Sequence, residues 1–392
     1  MRVAILEQVA ATSTDTDRLS AEYRALTESC GLLDRSERGK LALTGGGARE
    51  FLAGQTTNDI EALQPGQGCY AAFLTPKGKM LGDMRVLDLG PDDPTPDSPA
   101  PDRLTTDGVA PDVIPDGELF LDTERATLQA LFDTIRRFKI GYDVQLHKRT
   151  LERGLLSLIG PDSARVAGVE ERLAEVEHAN TPVEIDGVAA IAIRTDTGVD
   201  LICDSTDTTT LADALLARGA IPISEDAAEI VRVERGRPRY GIDLDDTVIP
   251  QEAGLNERAV SFTKGCYVGQ ETVARLYYRG KPNRHLRGLR LSEPITTEDV
   301  LGSEGVELRL GERTVGRLTS SVVSPTYGPI GLALVRREAE PGMSVNVIAA
   351  NPERDRVDDD GARGEAGVSA EVVELPFTER TTSSQTSAQG PP

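Results

Sequence analysis

Eight consecutive residues concentrate the chemistry of this chain: Lys264-Gly265-Cys266-Tyr267-Val268-Gly269-Gln270-Glu271. The run leads into a helical pattern over Gly269 to Tyr277. A thiol beside an ammonium and close to a helix N-terminus gives up its proton more readily, supplying thiolate for redox work, sulfur transfer or metal donation. The same cysteine can equally be a small apolar side chain packed under the helix, as most free cysteines are. Lys264, Arg275, Arg279, Lys281, Arg284 and Arg287 make one dense cationic stretch, with Tyr267, Tyr277 and Tyr278 interleaved. That composition suits an anionic ligand with flat rings, RNA, or plain ion pairs with surface acids. Glu234 sits beside Val231 and Val233 in another helical run. A half-buried carboxylate there can accept two parallel N–H donors; the alternative is an ion pair with Arg232, Arg235 or Arg237.

Other patterns carry less. Cys30, Cys69, Cys203 and Cys266 are far apart, with no C-x-x-C pair and none of the three histidines (His147, His178, His285) at ligand spacing. This is neither a disulfide framework nor a zinc site, and it suits a reducing interior. One cysteine cannot hold an iron–sulfur cluster, which takes about four ligands. Gly45-Gly46-Gly47 lacks the Gly-Lys-Ser/Thr ending of a phosphate loop and reads as a turn entering a helix. No Ser-His-Asp set assembles with any specificity.

The elements that must position these residues are mixed. Helical spacing covers Gly47 to Leu63, Thr123 to Phe138, Ser163 to Val176, Thr209 to Arg218 and Ala227 to Arg235. Strand patterns cover Gly68–Leu74, Lys79–Leu89, Glu118–Asp122, Val144–His147, Leu155–Ile159, Val188–Arg194 and Val199–Asp204. From Arg284 onward only short strands follow, which predicts a small C-terminal β-barrel. Gly90 to Glu118, Asn351 to Gly367 and Glu379 to Pro392 are polar, with little to bury, and are expected to be unstructured.

With 392 residues, two or three domains are expected. The net charge is −21, and only seven of the 43 basic residues are lysine. An acidic, lysine-poor surface stays hydrated at high salt, where self-repulsion is screened. It reads as adaptation to a salty cytoplasm and argues against a general nucleic-acid binder, and no DNA partner is expected. No apolar run approaches the ~20 residues of a membrane-spanning helix, and the N-terminus lacks a signal-peptide pattern.

At Val260 to Gly288 the chain resembles the YgfZ branch of the YgfZ/GcvT family, through K-G-C-Y-x-G-Q-E followed by R-x-x-Y-R-G-K-x-N-R. Leu33–Ser36, Phe51-Leu52, Thr57-Asn58-Asp59-Ile60, Pro65-Gly66 with Tyr70, Ile159-Gly160-Pro161, Arg232-Val233-Glu234, Ser324-Pro325 and Leu375-Pro376-Phe377 extend the likeness along the chain. The resemblance implies an α+β protein with three domains in a ring around a tetrahydrofolate site: two α/β units of ferredoxin-like type and a C-terminal β-barrel. The implied boundaries are 1–45 plus 149–245, 46–148 plus 246–283, and 284–378, with a tail over 379–392. It also implies folate contacts at Glu234, Tyr70, Asn58, Tyr267, Gln270 and Arg275, and makes Cys266 and Lys264 the candidate catalytic pair.

Glycine-cleavage aminomethyltransferases, the other branch, carry an asparagine-rich segment and a catalytic aspartate where this chain reads Leu121-Asp122-Thr123-Glu124-Arg125-Ala126-Thr127-Leu128. The simplest register puts Thr127 at the aspartate position, with Asp122 on the strand end. The resemblance therefore implies a folate-binding factor supporting iron–sulfur enzymes, with folate and iron–sulfur client or assembly proteins as partners. A folate-dependent aminomethyltransferase and a non-catalytic RNA-binding module are the alternatives.

Overall fold

A computed structural model describes residues 17–90, 117–296, 299–300, 302, 305–349 and 368–378. The stretches expected to be unstructured therefore fall almost wholly outside the described residues. The chain divides into two compact units: one runs to Val231 and resumes over Pro238–Leu286, and the other comprises Arg232–Arg237 and the chain from Arg287 onward.

The first unit holds, in chain order, α1 (residues 17–28), β1 (Gly31–Asp34), β2 (Gly39–Thr44), α2 (Ala48–Gln55), β3 (Gly68–Leu74), β4 (Met80–Asp88), β5 (Leu119–Thr123), α3 (Leu128–Phe138), β6 (Gln145–Lys148) and β7 (Arg153–Ile159). It continues with α4 (Ser163–Ala167), β8 (Asn180–Ile185), β9 (Val188–Arg194), β10 (Gly198–Asp204), α5 (Thr208–Ala217), β11 (Ile221–Pro222), most of α6 (Glu225–Glu234), α7 (Asn256–Ala259) and α8 (Gln270–Arg279). The strands form a five-stranded sheet, ordered β3-β4-β5-β2-β6, and a six-stranded sheet, ordered β11-β1-β7-β10-β9-β8. In the first, α2 and α3 bury Phe51, Leu52, Leu131 and Ile135 against Leu41, Leu43, Phe73 and Val86. In the second, Val166 and Leu211 from α4 and α5 join Leu156, Leu158, Ala192, Val199 and Leu201.

The two sheets also meet. Leu87 and Phe120 from the five-stranded sheet pack with Leu155, Ile191, Ile193 and Ile202 from the six-stranded one. Burying such side chains is worth roughly 1.5–3 kcal/mol each. Beside this apolar contact lies a charged one. The Arg85 guanidinium on β4 is 2.8 Å from Asp122 on β5 and 2.7 Å from Asp200 on β10. Ser157 on β7 donates to the other Asp200 oxygen at 2.7 Å, and Arg38 donates to Asp122 at 2.9 Å.

In the second unit, β12 (Arg284–Leu291, whose first residues belong to the first unit), β13 (Val306–Leu310), β14 (Arg313–Ser324), β15 (Gly328–Arg336), β16 (Ser344–Ala349) and β17 (Val368–Val373) close into a six-stranded barrel around Leu289, Leu308, Val315, Leu318, Ala333, Val347 and Val372. The mixed α and β content and the terminal barrel follow the sequence pattern. So does the β4–β5 pair flanking residues 91–116, with Arg85 opposite Asp122.

Several local readings change: the helix expected from Thr123 starts at Leu128, with Thr123 closing β5. The helix expected over Ser163 to Val176 stops at Ala167, because Gly168 takes a left-handed cap (φ 70°) and returns its N–H to the helix. The helix expected to reach Leu63 ends at Gln55: Thr56 is extended, with its hydroxyl bonded to the Leu52 carbonyl at 2.8 Å. Strand β8 went unread because Pro182 interrupts it, which an edge strand tolerates. In addition β2, within the segment assigned to the first domain, pairs with β5 and β6 of the other sheet.

Removing one member of a buried ion pair strands its partner, at a cost of about 3–5 kcal/mol. Asp122→Asn, facing both Arg38 and Arg85, should therefore lower stability by that order in chemical denaturation. A loss below about 1 kcal/mol would show that the network contributes little.

Candidate functional site

Segment 264–271 is stitched to the end of α2. The Lys264 ammonium donates to the carbonyls of Ala53 (2.5 Å), Thr56 (2.9 Å) and Asn58 (2.8 Å). The last carbonyls of a helix have no partner within it and carry the negative end of its dipole. Lys264 supplies both the missing donors and the charge. Burial nevertheless lowers its pKa to about 8, against the opposing pull of Asp59. Further bonds join the same chain segments: Ser261 N–H to Thr57 O at 2.9 Å, Val268 N–H to Gly54 O at 3.2 Å, and the Thr57 hydroxyl to Ala259 O at 2.5 Å. Gly269 turns the chain into α8 at φ 84°, where a Cβ would stand 2.6 Å from the Thr75 carbonyl.

This arrangement distributes the motif differently from the thiol–ammonium pair expected. Cys266 is exposed. The thiol that feels the Lys264 charge is Cys69, which burial pushes up to about 12 although Lys264 pulls the other way. Tyr267 is buried, its ring beneath the ammonium at 5.2 Å and its hydroxyl pushed up to about 12 by burial. Gln270 reaches back to the Gly265 carbonyl at 3.4 Å.

A second group of polar residues surrounds Tyr70 on β3. Its hydroxyl donates to Asp83 Oδ2 on β4 at 2.5 Å, and the Arg258 guanidinium lies 4.7 Å from its ring centroid. Arg258 is held in turn by a two-point contact with Glu177. Asn58 donates to the backbone carbonyls of Tyr70 (2.9 Å) and Arg258 (3.3 Å), tying this group to the end of α2. Asp83 is buried, and burial raises its pKa to about 6; the Tyr70 bond, Arg38 and Arg258 counter this, while Glu124 adds to it. Its other oxygen, Oδ1, takes no hydrogen bond from the described residues. Burial and the adjacent Asp83 charge place the Tyr70 hydroxyl well above the usual phenol range. Nearby, His178 is held neutral, its pKa lowered to about 3 by burial and by the charges of Arg85 and Arg258.

Asp83, Arg258 and His178 were not among the sequence candidates. The available signal was an aspartate inside the strand pattern over Met80–Asp88, a costly placement without a role. Of the two positions considered for an aminomethyltransferase aspartate, Thr127 is buried and shares a 2.7 Å bond with Thr123 at the start of α3. Burial opposes ionisation of Asp122, but Arg38 and Arg85 prevail and hold it below the usual carboxylate range.

Glu234 belongs to the second unit, where its carboxylate accepts from the Ser324 hydroxyl at 2.5 Å and its carbonyl accepts from Phe377 N–H at 2.9 Å. Ser324 also receives the Thr326 and Tyr327 N–H groups, so Glu234 braces the β14–β15 turn. In the cationic stretch Arg284 pairs with Glu252 and Arg287 with Glu374. Arg275 is exposed on α8. The structure thus brings Lys264, Tyr267, Asn58 and Tyr70 into one connected group. Cys266 and Arg275 stand at the surface, and Glu234 is engaged within the barrel unit.

Asp83 gives a pH signature. A carboxyl whose folded pKa lies above its unfolded value adds stability that is complete below the unfolded value, about 3.8, and vanishes as pH rises through about 6. The stability difference between wild type and Asp83→Asn should therefore change by on the order of 2–3 kcal/mol between pH 4 and pH 7, favouring wild type at the acid end; a flat difference would contradict a buried, raised carboxyl. Lys264→Met should cost about 2–4 kcal/mol by leaving helix carbonyls unpartnered, and ammonium ions should restore part of the loss. Wild-type stability in Lys264→Met would refute the capping role.

The chain matches the GCVT N-terminal domain family over residues 8–95 and 107–264. An aminomethyltransferase of Geobacillus kaustophilus is 27% identical over 378 residues, spanning 92% of this chain and 91% of its own length. One from Rubrobacter xylanophilus is 28% identical over 375 residues, spanning 92% and 87%. The crystal structure of glycine cleavage system aminomethyltransferase T from Bartonella henselae shares the fold, with a TM-score of 0.71 at 22% identity over 92% of this chain and 89% of that one. The family match covers more than half of the sequence, and the chain belongs to the GCVT N-terminal domain family.

Proposed function

We propose that the protein binds tetrahydrofolate and serves folate-dependent one-carbon transfer of the aminomethyltransferase kind. The observation that carries this reading is Asp83: a buried carboxyl raised to about 6, fixed by Tyr70 through one oxygen, with the other free of hydrogen bonds from the described residues. Full-length similarity to aminomethyltransferases supports it. A reduced pterin offers N–H donors that such an oxygen accepts, so the donor set fits the cofactor. When bound, tetrahydrofolate supplies a nucleophilic nitrogen to receive the one-carbon unit. Asp83 can take or return a proton near neutral pH because its pKa lies close to the working range. Tyr70 holds the carboxyl in one orientation, and Asn58 and Lys264 hold the backbone that carries Tyr70.

The iron–sulfur reading keeps one supporting observation. Cys266 is exposed within the K-G-C-Y-x-G-Q-E segment, where a partner protein could reach it. In that reading the thiol acts on the partner, and Lys264 shapes the loop that presents it.

Calorimetry with tetrahydrofolate tests both. Wild type and Cys266→Ala should bind alike, and Asp83→Asn should bind at least about tenfold more weakly, the loss of one charge-assisted hydrogen bond. No binding to wild type would overturn the folate proposal. If Cys266→Ala binds folate normally but fails to sustain iron–sulfur enzymes in cells, the second reading gains over the first.

A further inference from the structure

The folate proposal leaves the outer face of α8 unused. Val273 turns inward and is buried, while Arg275, Tyr278 and Arg279, spaced i, i+3 and i+4, share a face. Tyr278 is 67% exposed and Tyr277 49%. Phe262 stacks on Tyr277 with centroids 3.8 Å apart and planes 16° from parallel, and Tyr278 stands edge-on to Tyr277 at 5.0 Å, 81°. The three rings therefore support one another, with Phe262 half-buried and Tyr277 and Tyr278 left exposed. Arg275, Arg279 and Lys281 are exposed and have no acidic partner among the described residues, unlike Arg284 and Arg287 of the same stretch.

In a chain of net charge −21, three cations without an acidic partner among the described residues and two exposed rings stand close together in the chain here. At 0.1 M salt a charge is felt over about 10 Å, so a phosphate at α8 responds chiefly to its nearest neighbours. Open aromatic faces recognise bases that are not already stacked, which favours a single strand over a duplex. We propose that this face of α8 binds single-stranded RNA, with bases stacking on Tyr278 and the edge of the Phe262–Tyr277 pair while Arg275, Arg279 and Lys281 contact phosphates. Glu271, one turn before Arg275, limits the site at the N-terminal end of α8 through charge repulsion. Stacking, which salt does not screen, carries most of the affinity, and the cations set the strand's course.

The test is fluorescence anisotropy of the full chain with a labelled 12-nucleotide RNA of mixed sequence, its duplex form, and poly-glutamate as an acidic competitor. The single strand should bind, with log K falling against log salt at a slope of about −2, three phosphates at about 0.7 each. Tyr278→Ala, at an exposed position, should weaken binding about tenfold or more, the scale of one lost base stack, while folate binding stays unchanged. Arg279→Gln should reduce the slope. Absence of RNA binding, equal binding of the duplex, or an unaffected Tyr278→Ala would each overturn the proposal. Displacement of the RNA by poly-glutamate would do the same, pointing to an acidic protein surface as the partner.

Discussion

A buried guanidinium bridges the two sheets of the first unit. Arg85 extends from β4 to reach Asp122 in its own sheet and Asp200 in the other, and all three side chains are largely removed from solvent. Such a cluster gains less net energy than its Coulomb attraction suggests, because three charges had to leave water. Its consequence is geometric: Arg85 donates to Asp200 along a fixed N–H direction at 2.7 Å and lies at ion-pair distance from Asp122, so the position of β10 against β4 is constrained by where that donor points. The apolar contact of Leu87 and Phe120 with Leu155, Ile191, Ile193 and Ile202 provides the adhesion. The charges select one alignment among those that grease alone would allow.

That alignment sets the electrostatics of Asp83. Arg38 reaches Asp122 and Glu124, and its positive charge is felt by Asp83 as well. Arg258 contributes from the other side, held by Glu177. Two cations near a buried carboxyl would ordinarily hold it ionised, yet here burial prevails and the carboxyl titrates near 6. The cations are largely spent on other acids, so their field at Asp83 is partly cancelled. A cluster with balanced charge can keep one carboxyl protonatable where an unbalanced one could not.

Legibility from sequence followed the range of the forces involved. Strand alternation and helical spacing are local, and they located most elements, including the barrel, to within a few residues. Errors arose where a single residue overrode its surroundings: Gly168 ended a helix by adopting a left-handed turn, and Pro182 disguised an edge strand. The polar centre around Asp83 was harder to see. Its members come from β3, β4, the chain around residue 177 and α7, and no spacing rule connects Tyr70 to Arg258 across nearly two hundred residues. An aspartate between Gly82 and Met84, inside a strand that is buried along nearly its whole length, was the one clue in the sequence.

The segment 264–271 shows how position and chemistry can separate. A lysine two positions before a cysteine suggests an activated thiol. A lysine side chain, however, goes where its charge is best satisfied, and the end of α2 presents three carbonyls in one place. Water could solvate either the ammonium or those carbonyls, but not in a buried turn, so each becomes the other's best partner. Once Lys264 is committed there, Gly265 and Cys266 are pushed outward and Tyr267 closes beneath the ammonium. The exposure of the thiol thus follows from how Lys264 closes the end of α2, and a short motif of this kind reports first on how its backbone is held and only then on what its side chains can do.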